Sequence, residues 1–229
     1  MVWYYDLLQT LSNGVFGTFV KEDRFILLLK GLGVSLELTF FAAIIGLGIG
    51  LLVAISRINR IPVVSSIADL YVTIIRGTPV IVQLIIIYFI IIKAIFPAIV
   101  TAMIAFGINS GAYVSEIIRA GILAVDRGQM EAARSLGLSY RQAMIKVIVP
   151  QAIKNILPAL GNEFIVLLKE TSVAGYIAID DLTRAAMKIR NITYDPTTPL
   201  FFIAYLYLMM TICLSKMLTS YERRLREGD

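Results

Sequence analysis

The chain is short of the residues from which many enzyme and redox sites are built. Among its 229 residues there is no histidine and only one cysteine, Cys213. Without histidine, a Ser-His-Asp triad, a His-ligated zinc site and a His-ligated haem are excluded. A single cysteine excludes an intrachain disulfide and any CxxC motif. Charged residues are also scarce, at 16% against about 25% in ordinary soluble domains.

Apolar residues are abundant instead. They make up 58% of the chain, compared with about 45–50% in soluble domains, and the mean hydropathy is +0.81. The net charge of +5 is compatible with either nucleic acid or an anionic membrane surface as a partner. Because the hydropathy favours the second, we predict a membrane protein with lipid neighbours and no nucleic acid partner.

Five apolar stretches are candidates to cross a bilayer, for which about 20 residues are needed. They cover residues 31–55, 79–95, 97–125, 149–168 and 200–218. Residues 61–75 are also apolar but are interrupted by Asp69, which favours an interfacial helix leading into the second span. Residues 180–199 are the most loop-like stretch. With no repeat or low-complexity segment, we predict one all-α polytopic domain over residues 1–229.

The distribution of basic residues predicts the orientation of these spans. The loops that include Arg57, Arg127 and Arg223 carry more Lys and Arg than the loops on the opposite side. Because cytoplasmic loops carry such an excess, we expect the N-terminus outside and the C-terminus in the cytoplasm. Residues 126–148 then form a cytoplasmic loop. Residues 1–24 are too interrupted to span, and we expect them to lie on the outer interface.

The cytoplasmic loop has the sequence pattern of two short helices joined by a sharp turn. Residues 131–136 favour a helix, and Gly137 suits the left-handed position that follows a helix end. Ser139 can cap the next helix, and Gln142 three residues later completes a capping box. The pattern predicts a compact knob on the cytoplasmic face.

Polar residues inside the third and fourth spans are candidates for a solute site. Asn109, Tyr113 and Glu116 are spaced four and three apart and therefore share one helix face. Charges inside a span are costly and usually face the interior of the helix bundle. A second polar stripe on the fourth span has Glu163 beside it. This stripe consists of Asn155, Asn162 and Lys169.

Two interpretations of these charges remain open. In one, they neutralise each other: Glu116 pairs with Arg119, and Glu163 pairs with Arg76 or with Lys169 of another chain. In the other, Glu116 and Glu163 bind a solute, which we favour. A guanidinium offers five donors and needs carboxylate acceptors, so two carboxylates suit a cationic solute.

Three places in the spans have the composition of a local helix break. These are residues 109–111, 169–172 and 76–79. Pro79 favours a helix start, and Thr78 can cap that helix. We expect freed amides at 109–111, or Arg76, to bind the carboxylate of the solute. The candidate solute-binding residues are Glu116, Glu163, Asn162, Tyr113, Asn109, Ser110, Arg76 and Thr78.

The sequence has no motif for phosphoryl chemistry or for binding a metal. A P-loop needs G-x-x-x-x-G-K-[ST], and no such string occurs. The nearest glycine cluster, Gly46 to Gly50 in the first span, is instead a GxxxG pair suited to close helix packing. We therefore predict that the chain is not an enzyme and holds no cofactor or metal of its own.

Several segments resemble one family. Glu131-Ala132-Ala133 followed by Gly137 resembles the EAA loop of ABC-importer permease subunits. Segments 76–84, 111–121 and 167–172 resemble the branch of that family that takes up polar amino acids such as histidine, glutamine, arginine and glutamate. The resemblance implies the type I importer fold of about five spans with a short cytoplasmic coupling helix. In that loop, Glu131, Ala132, Ala133 and Gly137 match position by position.

The resemblance also implies partners. The coupling helix would dock into a separate ATPase subunit, which would bind ATP and Mg²⁺. Because five spans are few for a closed pathway, we expect two permease chains, identical or close paralogues, on two ATPase subunits. An external amino acid binding protein would deliver the solute at the plasma membrane of a prokaryote.

We carry two main hypotheses about function. The first is a permease subunit of an ATP-driven importer of polar amino acids, with a site near mid-membrane for cationic ones such as arginine, lysine or histidine. In a weaker version the membrane site is a simple polar conduit, and the binding protein alone selects. The second is half of an ion-coupled secondary amino acid transporter. A membrane anchor without a transport role is the least favoured alternative.

Overall fold

The structure, a computed structural model, describes residues 14, 16–59, 62–92 and 95–226. Throughout these ranges the regular elements are helices, which confirms the all-α prediction. Four helices are long and apolar enough to cross a membrane, and a fifth span is possible if one sharply bent pair crosses together. Much of the expected N-terminal interfacial segment lies outside the described residues, because residues 1–13 and 15 are not among them.

Nine α-helices follow one another along the described part of the chain. They are α1 (Phe25–Ile58), α2 (Pro62–Arg76), α3 (Val80–Ile86), α4 (Ala98–Leu123), α5 (Arg127–Ser135), α6 (Tyr140–Ala143), α7 (Val149–Glu170), α8 (Leu182–Thr193) and α9 (Thr198–Arg226). Short π-helical segments extend α3 over Ile87–Ile91 and join α6 to α7 over Met144–Ile148. A 3₁₀ segment, Thr171–Ile177, follows α7.

Glycines allow helices α1 and α4 to pack closely against each other. A Cβ added at Gly46 would lie 2.9 Å from the Cβ of Ser110, and one added at Gly50 would meet Val114. The facing Gly107 similarly leaves no space beside Ile45. The two helices therefore approach as closely as their backbones allow, and the prediction of a packing role for the GxxxG pair is confirmed.

The predicted opening of the third span is wrong. Helix α4 runs without interruption through residues 109–111. The glycine there serves packing instead, since a Cβ on Gly111 would lie 2.8 Å from a side-chain carbon of Ile49. The backbone amides of this segment are consequently bound within the helix and are not free for a solute carboxylate.

Of the two other predicted breaks, the one at 76–79 is present, whereas at 169–172 the chain only changes from α-helix to 3₁₀ helix without interruption. Helix α2 ends at Arg76 and α3 begins at Val80, and the combined axis bends by 108° between them. The second span is shorter than predicted, because Val80–Ile91 is only about 18 Å long at 1.5 Å per residue. It can cross a bilayer only together with α2. The capping role predicted for Thr78 is wrong: its hydroxyl donates to the Ile74 carbonyl instead.

The first, fourth and fifth spans are longer than predicted, whereas the third, Ala98–Leu123, lies within its predicted limits. The continuous helical stretch of the fourth span begins at Tyr140, nine residues before the predicted limit, because α6 and the π-helical segment lead directly into α7. The first span begins at Phe25, and the last continues to Arg226. A helix can continue past its apolar stretch because polar side chains do not interrupt backbone hydrogen bonding.

Residues 180–199, predicted as a loop, contain helix α8. Its buried residues Leu182, Ala185, Ala186 and Ile189 follow helical spacing and pack against α1 and α9. The buried Asp181 caps the helix by accepting hydrogen bonds from the amides of Thr183 and Arg184. Burial raises the pKa of the Asp181 carboxyl. The prediction of a loop is therefore wrong for residues 182–193, where the helical spacing of the apolar residues was the signal that sequence reasoning missed.

Candidate functional site

The polar face of α4 lies against the bend between α2 and α3. We call residues 76–79 the elbow. The predicted common face of Asn109, Tyr113 and Glu116 is confirmed, because all three contact the elbow or the helix after it. Arg76 lies over the ring of Tyr113, with its guanidinium carbon 5.4 Å from the ring centroid. The same guanidinium lies 3.8 Å from a carboxylate oxygen of Glu116.

Glu116 is surrounded by cations from its own chain. Its carboxylate accepts hydrogen bonds from Arg57 and, at 2.8 Å, from Arg119, in addition to the longer contact with Arg76. Arg57 also pairs with Asp69 of α2 at 2.6 Å. The predicted pairing of Glu116 with Arg119 is therefore present. With three guanidiniums around one carboxylate, the charge of Glu116 is already balanced in this conformation.

Sequence reasoning missed Gln83, which connects the elbow to α4. Its side-chain amide donates to the carbonyls of Ile75 and Thr78, at 2.7 and 3.1 Å, and to the Thr78 hydroxyl. Its carbonyl accepts from the amide of Asn109 at 2.9 Å. Both Gln83 and Asn109 are buried. A lone glutamine in the apolar run of residues 80–92 is the signal that could have identified it.

Glu163 has a different environment. It is half-buried on α7 and accepts a hydrogen bond from the Ser110 hydroxyl at 2.9 Å. A cavity of about 130 Å³ beside the pair is lined mainly by apolar side chains of α1, α4 and α7, among them Leu47 and Phe164. Within the described part of the chain, no lysine or arginine forms an ion pair with Glu163. The predicted alternative of a pair with Arg76 is thus absent from this structure.

The eight predicted solute-binding residues fall into two groups. Asn109, Tyr113, Glu116, Arg76 and Thr78 are gathered at the elbow, whereas Ser110, Glu163 and Asn162 belong to the α4–α7 side. Asn162 is exposed, and its amide donates only to the Pro158 carbonyl among the described contacts. Asn155 and Lys169 of the same stripe are also exposed. The structure therefore does not bring the two carboxylates to a common partner.

The knob, residues 126–148, has the predicted local geometry. Helix α5 is capped by Asp126, whose carboxylate accepts from the Gly128 amide at 2.7 Å. Gly137 follows with a φ of +85°, a left-handed conformation that favours glycine. The predicted capping box is confirmed, with reciprocal bonds between Ser139 and Gln142. The second short helix is not separate, however, because it continues into α7.

The four residues of the predicted coupling motif differ in exposure. Glu131, Ala132 and Gly137 are exposed, whereas Ala133 is buried against the rest of the chain. The apolar side chain of Leu136 is 85% exposed at the turn.

Residues 46–227 match the family described as "Binding-protein-dependent transport system inner membrane component". The chain belongs to this family. It is 38% identical over 217 residues to the arginine transport system permease protein ArtQ of Bacillus subtilis, covering 93% of this chain and 98% of ArtQ. It is 39% identical over 205 residues to the putative glutamine transport system permease protein GlnP of Rickettsia typhi, covering 88% and 94%.

A solved structure agrees with the sequence relatives. The crystal structure of an amino acid ABC transporter with histidines matches with a TM-score of 0.85 and 48% identity, covering 90% of this chain and 98% of the other. The type I importer fold is confirmed. The chain is a multi-pass inner-membrane permease subunit of an ABC importer, and ATP hydrolysis belongs to a separate subunit. The alternative of an ion-coupled secondary transporter is therefore wrong.

Proposed function

We propose that this permease subunit forms the translocation path of an amino acid importer that prefers cationic amino acids. The observation that carries the preference is the Glu163 carboxylate, which lies beside a small cavity and is bound by a single hydroxyl, that of Ser110. Ser110 stands at the middle of α4, which supports a position near mid-membrane. Among the described residues Glu163 has no cationic neighbour, and an intramembrane carboxylate in this situation supports binding of a cation that arrives from outside the chain.

The two ends of the solute would meet different groups. The cationic side chain would contact Glu163 and Ser110, whereas the solute carboxylate would contact Arg76, whose side chain is 44% exposed. Tyr113, Asn162 and Thr78 would complete the polar path. Glu116 and Asn109 remain predicted solute contacts, but in this conformation Glu116 is bound by arginines and Asn109 by Gln83.

The exposed polar stripe of α7 supports a second permease chain as a partner. Asn155, Asn162 and Lys169 lie on the surface of a helix that spans the membrane. Polar side chains at that depth need a protein or aqueous neighbour rather than lipid. We therefore place an identical or closely related permease chain across the path from this face, with two ATPase subunits below and an amino acid binding protein outside.

The proposed orientation rests on the excess of basic residues in the loops that include Arg57, Arg127 and Arg223. If the bent pair counts as one span, the described helices form five spans, and this excess supports an N-terminus outside and a C-terminus in the cytoplasm. The knob then faces the cytoplasm, where Glu131, Ala132, Ala133 and Gly137 would dock on the ATPase. ATP and Mg²⁺ would be bound by that subunit, and the permease chain would need no cofactor. Import would proceed by alternating access, since only contacts that differ between two states can transmit the work of ATP binding.

The test compares solutes in the intact transporter. The permease and its ATPase are reconstituted in vesicles with the binding protein, and uptake of arginine and glutamine is measured for Glu163→Gln. We expect the KM for arginine to rise at least tenfold with little change for glutamine. Glu170→Gln, the same substitution seven residues later on α7, is the matched control. An unchanged arginine-to-glutamine ratio in Glu163→Gln would favour the polar conduit, with selection by the binding protein alone.

A further inference from the structure

We propose that Gln83 is the positioning residue that holds the elbow against α4 and so determines where the Arg76 guanidinium lies. This inference rests on the proposed function in one respect only, the contact of Arg76 with the solute. Gln83 itself is 7% exposed, and its side chain bonds to the backbone of Ile75 and Thr78, on either side of Arg76 in the sequence. It therefore acts through the backbone rather than by touching the solute.

Backbone carbonyls at the end of α2 provide the first argument. A helix that stops leaves its last carbonyls without intrahelical partners, and in a membrane these groups are costly to leave unpaired. Here the Thr73 carbonyl accepts from the Gly77 amide, and the Ile74 carbonyl accepts from the Thr78 hydroxyl. The Ile75 carbonyl accepts from Gln83 at 2.7 Å. One side chain from the following helix therefore closes the end of α2 immediately before Arg76.

The position of the closed elbow relative to α4 provides the second argument. The Gln83 carbonyl accepts from Asn109, and the Tyr71 hydroxyl donates to the Ile108 carbonyl at 2.5 Å. These two adjacent contacts fix the end of α2 and the start of α3 on the same turn of α4. Tyr113, one turn further along α4, then lies under the Arg76 guanidinium. The placement of Arg76 is a consequence of the bonds to Ile108 and Asn109.

The buried pair is poorly suited to stability alone. The side-chain oxygen of Asn109 is buried and has no hydrogen-bond partner among the residues that the structure describes. A buried acceptor without a donor is destabilising, and two apolar side chains of similar shape would be no less stable. We therefore attribute the Gln83–Asn109 pair to orientation rather than to stability: the Asn109 amide fixes the direction in which the Gln83 side chain points.

The experiment uses Gln83→Met in the reconstituted transporter with its ATPase and binding protein. Val82→Met is the matched control, because Val82 is 43% exposed and none of the described side-chain bonds involves it. Hydrogen exchange of residues 73–83 and the KM and kcat for arginine uptake are measured. We expect at least tenfold faster exchange in Gln83→Met, a KM raised at least tenfold and a kcat within about threefold of the parent.

A double variant tests whether Gln83 acts through Arg76. If it does, the double variant Arg76→Ala/Gln83→Met has the same KM as Arg76→Ala. The guanidinium that Gln83 positions is already absent in that background, so the second substitution has no further effect on solute binding. Additive effects, an unchanged KM in Gln83→Met with a raised KM in Arg76→Ala, or equal effects in Val82→Met would overturn the proposal. If Arg76→Ala leaves the KM unchanged, the proposed solute contact of Arg76 fails. Exchange alone then decides: faster exchange supports the positioning role, and unchanged exchange overturns it.

Discussion

The two sides of helix α4 are packed by opposite means. One side carries Asn109, Tyr113 and Glu116 and is joined to α2 and α3 by directional polar contacts. The other side carries Gly107 and Gly111 and meets α1 through close approach of the two backbones. On the polar side, removing a partner should be costly, because a buried charge or amide is left unpaired. On the glycine side, adding a single carbon should be costly, because there is no space for it.

The strongest effect is expected on the polar side, for Glu116→Gln. Arg57, whose side chain is 15% exposed, would keep a partly buried charge with Asp69 as its main remaining partner. Removing the hydrogen-bonded partner of a partly buried charge costs about 1–3 kcal/mol, and we expect a loss near the upper end of that range in the free energy of unfolding. Denaturant titration of the purified complex in detergent measures it.

The control for that variant is Arg119→Gln. Arg119 also pairs with Glu116 but is 37% exposed, so its loss should cost less than about 1 kcal/mol. Equal destabilisation by the two substitutions would contradict the view that burial of Arg57, rather than the number of ion pairs, makes this side sensitive.

On the glycine side, Gly46→Ala should lower the free energy of unfolding by about 2 kcal/mol. The added Cβ on α1 would lie 2.9 Å from the Cβ of Ser110 on α4, and the two helices could make room for it only by moving apart. Gly48→Ala is the control on the same helix, since nothing lies within 4 Å of its Cβ. Alanine is a better helix former than glycine, so Gly48→Ala should be neutral or slightly stabilising. The same titration applies, and similar losses for both variants would show that close approach is not the cause.

Gly137, outside α4, tests the cost of an unfavourable backbone conformation without the cost of a steric clash. Gly137 has a φ of +85° and no atom within 4 Å of an added Cβ. Gly137→Ala should therefore cost about 1 kcal/mol from the left-handed conformation alone. We also expect lower transport per ATP hydrolysed, because the knob would lose its turn. Tight coupling in a variant destabilised to this extent would argue against a role of the turn in docking.

The smallest effect is expected at Asp195, away from both sides of α4. A hydrogen bond from the Thr198 hydroxyl, with further bonds from the Thr198 and Thr197 amides, lowers the pKa of this carboxyl. Since the folded-state pKa lies below the unfolded one, the stabilisation is present above about pH 4 and is lost as the pH falls through the folded value. Asp195→Ala should cost about 0.5 kcal/mol at neutral pH and progressively less below pH 4. Denaturant titrations of the parent and of Asp195→Ala at pH 7 and at pH 3 measure this cost. An equal cost at the two pH values would exclude the carboxylate charge as its cause.

The sequence predicted features that depend on spacing within one helix. The common face of Asn109, Tyr113 and Glu116, the capping box of Ser139 and Gln142, and the packing role of Gly46 all follow from helical periodicity. The family resemblance added the coupling loop and the importer class. Each of these features can be recognised from residues that are close along the chain.

Partners distant in sequence could not be predicted in the same way. Gln83 meets Asn109 across 26 residues, and Arg57 meets Glu116 across 59. Such pairs depend on the angle at which α2 leaves the elbow and on how closely α1 approaches α4, which no local pattern specifies. The opening predicted at residues 109–111 was wrong for the same reason, because a glycine that permits a break also permits close contact.

The continuity of α6 with α7 has a mechanical consequence. Tyr140 in the knob and Glu163 beside the cavity belong to one continuous helical stretch. At 1.5 Å per residue they are about 35 Å apart along its axis. Tilting this rod by about 10° around Glu163 would displace Tyr140 by about 6 Å, as the lever arm of about 35 Å requires. The bending stiffness of the rod at the π-helical turn and at Pro158 therefore limits how much of a movement at the knob reaches the carboxylate.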